Sequence, residues 1–223
     1  MKRTKLCDRK LPIYTKGEEI MNMVTHIVGG GLAIIGSLFC IPAACRFGGW
    51  ENILGAVIYC LSMIGVYTMS SVYHGLHVNT GKKVMQVLDH CAIYFLIAGT
   101  YTPIMRIKFV PAYPLIGWGL LGMQWTLTAL AVTLPAIALK KYKVFSMICY
   151  ILMGWGIIFF LQQALTVLGY TAFGWLLAGG IAYTIGAVLF GIGKKLKWMH
   201  SVFHIFVLLG SVLQFISIYF YML

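Results

Sequence analysis

The chain has 223 residues, of which 61% are hydrophobic and only 10% charged, with a mean hydropathy of +0.89. Those proportions exclude a soluble domain of this size and describe an integral membrane protein. A net charge of +12 would point to nucleic acid in a soluble chain, but here the basic residues fall in short clusters between apolar runs, a pattern of membrane orientation with no nucleic-acid partner.

Residues 1–23 form a polar basic tail, MKRTKLCDRK followed by Lys16, and charge then disappears from Val24 to Cys45. Ala43 and Ala44 before Cys45 resemble a signal-peptide cleavage site, but the apolar stretch has the ~20-residue length of a spanning helix rather than the ~7–15 of a signal core. Further apolar runs occupy residues 53–74, 88–105, 113–138, 144–165, 173–192 and 198–222. Each is long enough to cross a ~30 Å hydrocarbon layer, so the expected fold is an all-α, polytopic, seven-transmembrane helix bundle over residues 24–223. The break between the fifth and sixth runs carries no charge. It rests on Gly169 and the polar Gln162-Gln163 pair, and on the excessive length of an unbroken helix from Val144 to Ile192. Six cysteines, at 7, 40, 45, 60, 91 and 149, show neither paired spacing nor a metal motif and read as buried thiols.

Seven spans place alternate loops on opposite sides. Fourteen of the seventeen Lys and Arg residues then fall with the N-terminus: Lys2, Arg3, Lys5, Arg9, Lys10 and Lys16 in the tail, Lys82 and Lys83, Lys140, Lys141 and Lys143, and Lys194, Lys195 and Lys197 in the loops. Arg46, Arg106 and Lys108 remain on the other side. The positive-inside rule puts the N-terminus in the cytoplasm and the C-terminus outside.

This topology gathers the ionisable residues into one slab. His74 closes the second run, Asp89 and His90 open the third, His200 and His204 open the seventh and His26 opens the first. Ionisable groups within spans are costly and mark functional sites. His200 and His204 are four apart and share a helical face with Cβ atoms about 6 Å apart, a spacing that one metal ion can bridge. Ser70 and His74 repeat that spacing. His77 falls in a loop, and His90 points about 100° away from Asp89 around a helix, so at most one of the two faces a metal directly. Ser70 and Ser71 have the alternative of bonding to the preceding helical turn. Gly29, Gly30 and Gly31 read as close helix packing, since no strand precedes them as a nucleotide loop would require.

Three blocks carry a family resemblance: Glu19-x-x-Asn22-x-x-Thr25-His26; Ser70-x-x-x-His74 followed by Asp89-His90-x-x-Ile93; and His200-x-x-Phe203-His204-x-x-Val207-x-x-Gly210. They resemble the signature blocks of the hemolysin III branch of the progestin and adipoQ receptor family, and DHCAIYFLIAGTYTP, Asp89 to Pro103, is similar to its bacterial members. The resemblance implies a zinc ion near the cytoplasmic face, with ligands on His74, His200 and His204, Asp89 holding a zinc-bound water and Ser70 beside it. Asn22, His26 and His90 are then candidates for the surrounding shell. The large N-terminal domain of the eukaryotic receptors has no counterpart, which weighs against hormone binding.

The residue types fit hydrolysis. Three neutral imidazoles leave Zn²⁺ a fourth position for water, Asp89 is placed to take a proton and Ser70 to donate to an oxyanion. A site opening to the inner leaflet among apolar walls predicts a lipid-like amide substrate, as in a ceramidase, with membrane lipids as partners. Two other classes compete: a membrane-state sensor or receptor with structural zinc, and a pore-forming cytolysin. No charged residue sits at the middle of any predicted span, so no ion pathway is visible.

Overall fold

The computed structural model describes residues 5–6, 8–192 and 196–223. The expectations for Lys2, Arg3, Cys7, Lys194 and Lys195 lie outside the described residues. In chain order the helices are α1 (Lys16–Phe47), α2 (Trp50–Gly75), α3 (Thr80–Pro103), a π-helical stretch (Ile104–Phe109) running into the single turn α4 (Val110–Ala112), α5 (Pro114–Ala131), α6 (Thr133–Gly154), a 3₁₀ stretch (Gly156–Phe160), α7 (Leu161–Ile192) and α8 (Met199–Tyr221). Among the described residues, six helical runs are long and apolar enough to cross a membrane. The chain is an all-helical, multi-pass membrane protein.

Several helices outrun the apolar segments that predict them. α1 begins at Lys16 rather than near Val24 because Thr15 caps it: the Glu18 amide donates to the Thr15 hydroxyl, and the Glu18 carboxylate accepts from the Thr15 amide at 2.8 Å. Such a capping box satisfies amides that otherwise lack partners at a helix start. The other Glu18 oxygen accepts from the Trp198 amide at 2.7 Å, which ties the start of α1 to the start of α8. Similarly, Asn79 caps α3 through the Lys82 amide, so Lys82 and Lys83 belong to a helical turn rather than to a loop. Apolar periodicity cannot detect these turns, because their residues are polar.

Helix–helix spacing follows from small residues where large ones must pass. A Cβ at Gly29 would stand 2.5 Å from the Tyr67 ring, so α1 and α2 approach through that glycine. The Tyr67 hydroxyl in turn donates to Ser211 at 2.6 Å, and Ser211 pairs with the Tyr183 hydroxyl at 2.7 Å, joining α2, α8 and α7.

The apolar run from Val144 to Ile192 is 49 residues long, or about 74 Å if straight, more than twice a hydrocarbon layer. It is not straight. The Trp155 indole donates to the Thr184 hydroxyl at 3.0 Å, although 29 residues of unbroken helix would hold them about 43 Å apart. Met147 likewise lies 3.6 Å from where a Gly191 Cβ would be. Both contacts centre on Gly169, whose φ of 73° and ψ of 165° leave the helix. Only glycine adopts that conformation without strain.

Candidate metal centre

Four helix ends converge at one end of the bundle: the first turns of α1, α3 and α8 and the last turn of α2. His74 from α2 and His200 and His204 from α8 meet there, each offering a ring nitrogen to one cluster. His200 Nε2 lies 3.2 Å from His74 Nε2 and 3.1 Å from His204 Nε2. Zinc–nitrogen bonds of about 2.0–2.1 Å in a tetrahedron set nitrogens about 3.3–3.4 Å apart, so the spacing fits a metal of that size.

The opposite ring nitrogens fix the chemistry. His74 Nδ1 donates to the Glu19 carboxylate at 2.6 Å, and His204 Nδ1 donates to the Asn22 carbonyl at 3.2 Å. Both Nε2 atoms therefore present lone pairs toward His200. Two lone pairs converging within 3.2 Å of a third ring nitrogen are a donor set that suits a metal. Among the described residues, these three histidines could hold a metal ion.

Glu19 is the residue that sequence reasoning did not assign. It belongs to a quoted block, but its position in a polar stretch gave no sign that its carboxylate reaches 55 residues along the chain to His74. Its second oxygen pairs with the buried Lys82 ammonium at 2.8 Å, and Lys82 also donates to the Leu76 carbonyl at 2.9 Å. A buried ammonium needs such partners. Tyr14 was also missed: its ring stacks on His200 at 5.1 Å between centroids and 14° between planes. Burial raises its phenol above the ordinary value, with Glu19 and Asp89 adding to the effect, so it stays neutral.

The other expected residues divide. Asn22 supports the cluster twice, through its carbonyl to His204 and through Oδ1, which accepts from Ser201 at 2.6 Å. His26 lies face to face with His204 at 3.7 Å but hydrogen-bonds to no ligand. His90 donates from Nδ1 to the Gln86 carbonyl at 2.8 Å and stands 3.7 Å from Asp89 Oδ2. His77 is an exposed loop residue. Ser71 bonds back to Tyr67 at 2.7 Å, the ordinary fate of serine in such helices. Ser70 does not, and its buried hydroxyl has no partner.

Ser70, Asp89, His26, His90, His200 and His204 all line one cavity of about 170 Å³. Its remaining wall is mostly apolar and aromatic, drawn from α2, α3, α6, α7 and α8 and from Trp155. A smaller space of about 40 Å³, bounded by Phe173, Leu176 and Ile104, shares Tyr101, Trp155 and Gln214 with it. Ten residues of α8 separate His204 from Gln214, so apolar space extends about 15 Å from the histidines.

A family model described as Haemolysin-III related matches residues 14–215. The chain is 38% identical over 206 residues to Hemolysin-3 of Bacillus cereus, covering 92% of both chains. It is 33% identical over 209 residues to the Hemolysin-3 homolog of Bacillus subtilis, covering 94% of this chain and 96% of that one. Human monocyte to macrophage differentiation factor is 25% identical over 213 residues, covering 92% of this chain and 84% of the human one. No solved structure matches. With the family model spanning nearly the whole chain, this protein belongs to the haemolysin-III related family, the hemolysin III branch of the progestin and adipoQ receptors.

Proposed function

We propose that the protein is a membrane-embedded zinc hydrolase that cleaves a lipid-like amide drawn from the cytoplasmic leaflet. The observation that carries this reading is the meeting of three Nε2 atoms, those of His74, His200 and His204, where His200 and His204 line a mostly apolar cavity. His74, His200 and His204 would hold the ion, and Zn²⁺ bound by three imidazoles supplies a water with a pKa lowered to about 7. Glu19 and Asn22 keep the His74 and His204 rings oriented by accepting from Nδ1. Asp89, on the same cavity wall, takes the proton given up during attack on the amide carbonyl and returns it to the departing amine. Ser70, whose hydroxyl spends no hydrogen bond on the helix, donates to the oxyanion. The apolar extension toward Gln214 accommodates the acyl chain.

The same reading has seven crossings, with the contacts across Gly169 supporting a turn there, and a cytoplasmic N-terminus that places the site at the inner leaflet. A membrane-lytic activity, which the names of the Bacillus relatives invoke, has less to rest on. No charged residue sits at the middle of any expected span to line an ion pathway.

The test is hydrolysis of long-chain N-acyl amides by purified protein in lipid nanodiscs. Activity should rise with pH through neutrality. Asp89→Ala should abolish it with metal largely retained, and Ser70→Ala should slow it roughly 10²–10³-fold at unchanged metal content. Full metal occupancy with no product from amides or esters would leave a structural metal in a sensor as the better reading.

A further inference from the structure

His26 is 4% exposed, and neither of its ring nitrogens has a hydrogen-bond partner. A buried imidazole left in that condition gives up the hydrogen bonds it made in water, so the position is costly unless something else meets it. Helix α1 carries the residue, Tyr67 meets it edge-on at 5.1 Å, and His204 covers one face. The cavity wall includes His26.

Geometry rules out a fourth metal bond. The rings of His26 and His204 are nearly parallel, 11° apart, with centroids separated by 3.7 Å. A metal bound to His204 lies in the plane of that ring, so the His26 nitrogens stand about one ring thickness away, beyond the ~2.0–2.1 Å of a zinc–nitrogen bond. The same offset is informative about a ligand. A group that reaches His26 sits about three to four covalent bonds from the group at the metal, because bonds of ~1.5 Å zigzag and advance less than their own length. A neutral imidazole has one donor and one acceptor, and a hydroxyl can rotate to answer either.

We infer that His26 is a positioning residue that hydrogen-bonds to a hydroxyl on the lipid headgroup, about four bonds from the scissile carbonyl carbon. This rests on the cavity being a lipid-amide site, as proposed above, but not on turnover. It makes the headgroup hydroxyl, rather than the acyl chain, the feature that the metal end of the cavity selects.

The experiment measures equilibrium binding of two matched probes to the metal-replete full chain in nanodiscs: N-lauroylethanolamine and N-propyl lauramide, which differ by a hydroxyl in place of a methyl. The wild type should prefer the hydroxylated probe about fivefold to tenfold, as one net hydrogen bond provides. His26→Phe, which keeps the stack on His204, should erase the preference, retain metal and melt no lower than wild type without lipid. His26→Gln should restore part of the preference. An undiminished preference in His26→Phe, no preference in the wild type, or metal lost together with binding would overturn the inference. Preference without cleavage of either probe would instead remove the hydrolase reading and leave His26 in its role; cleavage without preference would do the reverse.

Discussion

Glu19 stands between two buried partners, with one carboxylate oxygen on His74 Nδ1 and the other on Lys82. Its replacement by Gln keeps the size but removes the charge that makes His74 a better ligand. Glu19→Gln should therefore weaken metal binding about 10–100-fold, measured by chelator competition, while the helices remain by circular dichroism. An affinity within twofold of wild type would mean that the carboxylate serves Lys82 alone. How much of the site is legible in the sequence depends on the kind of signal. His200 and His204 are readable because four-residue spacing on a helix makes neighbours of them, and His74 because it sits at the end of an apolar run. Glu19, Tyr14 and the lack of any partner for Ser70 and His26 are tertiary facts. Each depends on where α1 lands against α2 and α8, and a polar residue at a helix start looks the same whether it faces solvent or a metal ligand.

Gly169 is where the longest apolar segment reverses. Its positive φ admits glycine alone, whereas Gly174, five residues on, is helical with open space where a Cβ would be. Gly169→Ala should destabilise the protein by about 1–3 kcal/mol. Gly174→Ala should be neutral or stabilising by up to about 1 kcal/mol, because alanine favours helix. Thermal unfolding in one detergent compares the two, and equal effects would contradict the turn. The break itself is foreseeable from length and from Gly169. The π-helical passage after Pro103 is not, nor is the burial there of Arg106 between the Trp50 and Trp118 rings, at 5.0 and 4.5 Å from their centroids. Proline marks where a helix is disturbed but leaves open how the backbone recovers.

Across the whole molecule, the expected topology puts the site and the basic loops on one side of the membrane. If seven crossings start from the cytoplasm, a reporter fused after Leu223 is active only outside and one inserted beside Lys141 only inside. Six crossings would bring the C-terminus back to the cytoplasm, so the Leu223 fusion separates the two counts. The hydropathy pattern makes the membrane-spanning helices legible because a bilayer demands continuous apolar helices, and the same demand hides the site, whose walls use the residues that any span uses. A bound ion would unite the histidines, their supporting groups and the cavity, and the metal content of purified protein tests that most directly. The account predicts about one zinc per chain in the wild type, most of it lost in His74→Ala and His204→Ala, and most of it kept in Asp89→Ala. A wild type without stoichiometric zinc, or an Asp89→Ala protein that is empty while His74→Ala is full, would contradict it.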